Sequence, residues 1–134
     1  MRKISIYNEL YDAQICYLIG GTVPDLQKYI KRKHKDAILY SWGAIFDLYA
    51  DDIETSNAYQ FHVTAPLGDG EIFYVWMAYI TSNLLFHETF HLPGDIFYTR
   101  AMPYTEDSEE TYAYLGAWIF ERVFKRLNGK LPKK

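Results

Sequence analysis

Residues 57–66, NAYQFHVTAP, alternate with a period of two: Tyr59, Phe61, Val63 and Ala65 fall on one face, Gln60, His62 and Thr64 on the other. That is the pattern of a half-buried strand. The turn signal LGDG at 67–70 and the apolar run EIFYVWMA follow, predicting a hairpin whose second strand leads directly into residues 81–92. There Thr81 or Ser82 suits a helix N-cap ahead of SNLLFHETFHL, and Pro93-Gly94 predicts an end or kink just beyond it.

Upstream, AQICYLIGG (13–21) reads as an apolar strand, and TVPDLQKYIKRKH as a helix with Pro24 in its first turn and Thr22 and Asp25 as caps. Residues 37–50, AILYSWGAIFDLYA, fit both periods, and Gly43 tips the reading toward strand. DIFYTRAMPY is a connection of no assigned form. From residue 105, TEDSEETYAYLGAWIFERVFKRLNG reads as a long amphipathic helix with Ser108 as a cap, acidic residues at its head, basic residues near its end and a glycine stop. The 134 residues contain no internal repeat or low-complexity linker, so the expectation is one α+β domain over 1–134, an antiparallel or mixed sheet packed against helices.

Hydrophobic residues make up 49% of the chain and charged residues 23%, the range of globular proteins. Thirteen Tyr and eight Phe predict a core of large rings whose buried phenols need partners. Net charge is −3 and the pI about 5.8, which argues against nucleic acid as a partner; the basic run KYIKRKHK at 28–35 reads as a solvated helix face. The single cysteine, Cys16, cannot form an internal disulfide, and Glu9 and Asp12 interrupt any signal-peptide apolar stretch. The run IFYVWMAYI at 72–80 is too short to span a bilayer. Together these predict a cytoplasmic protein with no membrane partner.

The chemistry concentrates in H-E-T-F-H, residues 87–91. Two histidines four apart on a helix project from one face, as two imidazole ligands of a zinc ion require. His87 and His91 hold those places, and Glu88 stands about a quarter-turn round, where a base beside a water belongs. Leu85, Thr89 and Leu92 take the opposite side. A satisfied pair of core histidines is the alternative.

Catalytic zinc commonly has three protein ligands. The metzincin pattern would place a third histidine at position 97, which is Phe97. In the last predicted helix, Glu110-Thr-Tyr-Ala113-Tyr114 resembles the Glu-x-x-Ala-Asp element of gluzincin metallopeptidases, the thermolysin-like group. That resemblance implies a zincin-like fold, a zinc cofactor, Glu110 as third ligand and a peptide or protein substrate. The apolar stripe Tyr112, Gly116, Phe120, Val123 and Leu127 points nearer to Glu109, which stays as rival; Asp95, Glu106 and Asp107 are weaker candidates, read as solvated connection and cap. Tyr114 stands where the family has an acid, and its hydroxyl is a candidate to orient a histidine or face substrate. The combination also resembles short phage and mobile-element proteins predicted to be zincin-like.

The expected activity is hydrolysis of a peptide bond with Glu88 as proton acceptor, and Tyr104, Tyr114, His62 and Arg100 as candidate oxyanion donors. An edge of the 57–79 hairpin is expected to accept an extended substrate. A non-catalytic zincin-like module that sequesters a protein partner, and an α+β interaction protein without metal, are the rivals.

Overall fold

The chain, seen in a computed structural model that describes residues 1–64 and 71–127, folds as six strands and three helices. The strands are β1 (Arg2–Asn8), β2 (Ala13–Ile19), β3 (Ile38–Ser41), β4 (Ala44–Ile45), β5 (Ala58–Thr64) and β6 (Glu71–Met77). They form one sheet in the order β1-β2-β6-β5-β3-β4, parallel only between β2 and β6. The helices are α1 (Val23–Lys33), α2 (Ser82–Thr99) and α3 (Glu109–Arg126). None is long and apolar enough to cross a membrane among the described residues.

α1 covers one face of the sheet, where Val23, Leu26 and Ile30 meet Leu18, Phe61, Val63 and Trp76. α2 and α3 cover the other, setting Leu85, Leu92, Ile96, Leu115 and Ile119 against Ile15, Tyr17, Phe73 and Val75. The α+β architecture is the predicted one. Each helix presents only a stripe to the sheet, so the burial that holds it in place is its apolar face.

Several local readings change. The strand β1 has no counterpart in the prediction, because ISIYN is short and interrupted by polar residues; pairing along all of β2 makes it a strand. Residues 37–50 form a hairpin rather than one strand, with Trp42 (φ 52°) and Gly43 (φ 78°) at the two central turn positions between Ser41 and Ala44. β5 is covered on both faces, since Gln60 and His62 are buried along with Phe61 and Val63. The β5–β6 pair is the predicted hairpin, and its turn, together with the glycine stop after α3, lies outside the described residues.

α2 also runs through Pro93-Gly94 to Thr99 instead of ending there. A proline costs a helix one hydrogen bond and about 3 kcal/mol. Here the turn that contains it is wholly buried, with Leu92, Ile96 and Phe97 at 0–1% exposure, so packing outweighs the lost bond. Thr81 is the N-cap, accepting from Leu84 N–H at 3.1 Å. Ser108 precedes α3 without capping it; its hydroxyl instead receives Thr105 N–H at 2.7 Å in a 3₁₀ turn, Glu106–Ser108.

Candidate metal centre

The Thr81 cap fixes where α2 starts and the core residues Leu85, Thr89 and Leu92 fix its rotation. Thr89 is held further by a 2.6 Å hydrogen bond to the buried Tyr17 phenol. His87, Glu88 and His91 are therefore presented along the flank of α2 that looks over the start of β5. Their ligand atoms all lie within 4.8 Å of one another, and this is the one such group of His, Cys, Asp and Glu among the described residues.

Nε2 of His87 and Nε2 of His91 are 3.2 Å apart, with the rings at 81°. Two imidazole nitrogens bound tetrahedrally to zinc, each at about 2.0–2.1 Å, are separated by about 3.3 Å. The two side chains thus stand at the spacing a shared ion needs. The Glu88 carboxylate is 4.0 Å from His87 Nε2. It is 7% exposed, and burial pushes its pKa up while His87 pulls it down. Burial, then the charge of His87, lowers the pKa of His91, favouring the neutral imidazole that metals bind. The His87 side chain is 67% exposed. An open crevice of about 540 Å³ bordered by Ser56, Asn57, Ala58, Asn83, His87 and Glu88 leads to the group.

The α3 acids are elsewhere. Phe86 meets Phe120 at 4.7 Å and Phe97 meets Tyr112 at 5.6 Å, so α3 runs antiparallel to α2 and docks on its phenylalanine flank. Residues of α3 level with His91 lie about two turns from Glu110, on the order of 10 Å along the axis. Glu109 and Glu110 are both exposed and neither joins the group. Leu115, Ile119 and Val123 of α3 enter the core on the sheet, while Tyr112, Gly116 and Phe120 of the predicted stripe meet α2, Tyr112 donating to Phe90 O at 3.0 Å; Glu109 and Glu110 lie outside both contacts. Tyr114 is 69% exposed and touches neither histidine nor Glu88 by hydrogen bond or ring contact.

The remaining candidates have other employment. Arg100 caps α2 at its C-terminus, donating to Tyr11 O at 2.8 Å and Asp12 O at 2.7 Å and pairing with Glu71. Tyr104 lies edge-on to Tyr112 at 4.9 Å. Asp95 is not a solvated connection but wholly buried, accepting from His62 Nδ1 at 2.8 Å and Gln60 Nε2 at 2.7 Å. It falls one turn after His91, so His87, His91 and Asp95 form one column along α2 and its last member ties the helix to β5. Glu106 and Asp107 are exposed in the 3₁₀ turn.

Trp42 was not among the predicted site residues. Its indole stands edge-on to His91, ring centroids 6.3 Å apart, and rests on Gly94. A Trp-Gly turn between two short apolar runs was the available signal. Comparisons with protein-family models, with curated proteins and with solved structures find no match to this chain.

Proposed function

We propose that the chain is a zinc-dependent peptidase of zincin type, with His87 and His91 as metal ligands and Glu88 as proton acceptor. The observation that carries this is the 3.2 Å separation of the two Nε2 atoms with a buried carboxylate beside them. Zinc bound there supplies a water whose pKa falls to about 7 and a Lewis acid for a carbonyl oxygen. Glu88, whose pKa burial raises, takes a proton at its carboxylate oxygen and returns it to the leaving amine. The substrate approaches through the crevice in front of Glu88. The hairpin itself lies inside the sheet, with β3 paired to β5 over His62–Thr64, so an extended peptide would have to pair beside Ala58 and Tyr59, the half-buried start of β5.

A second reading is favoured by the placement of Glu109 and Glu110. With no α3 carboxylate at the group, Glu88 serves as the third ligand of a non-catalytic site, and the chain acts as a binding module that sequesters a protein partner. One variant separates the two. Metal is measured on protein purified without a metal-affinity column. The peptidase reading expects zinc near one per chain, kept in Glu88→Gln while cleavage of a peptide library is lost. If Glu88→Gln empties the site, and the native protein cleaves nothing, the binding module stands instead. No metal in the native protein would overturn both.

A further inference from the structure

The sheet has two edges, and they are finished differently. β4 is two residues long, whereas β1 is a regular seven-residue strand, free of proline and paired only with β2. Which of its backbone groups face outward follows from the alternation of an antiparallel pair. Gly20, just past β2, donates to Met77 O of β6 at 2.7 Å, so the even positions of β2 face β6 and the odd ones face β1. Tyr17 stands opposite Ile4, and Ile15 opposite Ile6. The N–H and C=O groups of Lys3, Ser5 and Tyr7 therefore point away from the sheet. A strand edge of this length is a template for a further strand.

A crevice of about 1020 Å³ runs between that edge and α3, with Trp118, Arg122, Lys125 and Arg126 as its far wall. Arg122 lies over the Trp118 ring at 5.0 Å, and Arg126 reaches across to donate to Ser5 O at 3.2 Å. On the opposite face of the sheet Lys3 stands beside Lys33 of α1, whose Nζ is 3.3 Å from the Tyr29 hydroxyl. Among the described residues no carboxylate pairs with Lys3, Lys33, Arg122 or Arg126; Lys125 is matched, by Glu121 at 2.8 Å. Both flanks of one unpaired strand are thus positive, in a chain whose net charge is −3.

Backbone and charge together narrow the occupant. A nucleic acid would meet the cations but has no amides to pair with the strand. A second copy would set the cations of β1 and α3 against their own kind. An acidic peptide in extended form satisfies both demands: its backbone completes the ladder, and its side chains alternate between the two faces where the cations stand.

We propose that the outer edge of β1 takes an acidic extended peptide as a seventh strand, its carboxylates meeting Arg122 and Arg126 on one face of the sheet and Lys3 and Lys33 on the other. A peptide N–H replaces Arg126 at Ser5 O, which releases the guanidinium to a carboxylate. Binding here needs neither zinc nor turnover, so its failure and that of the peptidase reading are distinguishable.

The test titrates a capped peptide of alternating glutamate and valine, as long as β1, against the full chain. One control replaces its central valines by proline, keeping the charge but removing the N–H groups; a second is a single-stranded oligonucleotide of equal charge. Calorimetry gives the affinity and amide hydrogen exchange gives the place. Saturable binding of the glutamate-valine peptide alone is expected, weakening as salt rises. Exchange at Lys3, Ser5 and Tyr7 should slow, while Ile4 and Ile6, already paired with β2, stay as they are. Arg122→Gln, at an exposed position, should weaken binding roughly two- to fivefold. Equal binding of either control, or unaltered exchange at Ser5 and Tyr7, would overturn the proposal. So would protection of those amides that grows with protein concentration in the absence of peptide, which marks a second copy on the edge.

Discussion

Trp42 rests on Gly94 so closely that the glycine has no room for a side chain; the nearest indole atom would lie 1.9 Å from its Cβ. Gly94→Ala therefore has to expel the ring or shift α2. Overpacking of this kind costs roughly 1–3 kcal/mol. Trp42→Ala removes the obstacle, so the doubly substituted protein should lose less than the sum of the two single changes. A urea-denaturation cycle yielding strict additivity would show that the two residues do not share this contact.

His87→Ala or His91→Ala removes one of two imidazoles held 3.2 Å apart. Loss of groups that merely support a ligand commonly weakens metal sites 10–100-fold, so loss of a ligand itself should exceed roughly 100-fold. Zinc titration against a competing chelator measures this. The fold should survive in His87→Ala, because His87 is largely exposed and contributes nothing to the core.

Asp95→Ala is expected to damage stability far more than any change at the metal group. It strands His62 and Gln60, both buried, beneath α2. Each buried donor left without its acceptor costs about 1–3 kcal/mol. Equilibrium unfolding that shows a loss below 1 kcal/mol would mean that water reaches the pair.

Stability should also depend on His34, whose Nε2 lies 2.7 Å from the Tyr74 hydroxyl on the α1 side of the sheet. Burial, then Lys33 and Lys3, lowers its pKa below the ordinary 6.5. The unfolded chain then takes up a proton before the folded one does. This contribution is complete above pH 6.5 and declines as the pH falls from there toward the lowered folded value. His34→Gln should flatten that part of the curve, as thermal melts between pH 7.5 and 5 would report.

The sequence reveals elements where one local pattern acts alone. The capping box of Thr22 and Asp25, the strand over 58–64 and the His87–His91 spacing all fall where they are expected. What is hidden depends on partners distant in the chain. Pro93 looks like a helix end because its cost is local, whereas the burial of Ile96 and Phe97 that offsets it is tertiary. Asp95 looks solvated because an aspartate usually is; its partners Gln60 and His62 come from another element. Glu110 follows from the resemblance and Glu109 from the apolar stripe, whereas the antiparallel docking of α3 on α2 that leaves both acids exposed is tertiary.

The parallel register of β2 against β6, in which Gln14 meets Ile72, joins strands separated by α1, β3, β4 and β5. Loop closure on that scale is slow, so the pairing of β2 with β6 is expected late in folding. Because α2 follows β6 at once, its docking on the sheet is expected to follow that closure. If zinc binds at His87 and His91 as proposed, refolding should proceed at the same rate with or without it, and unfolding should be slower with it.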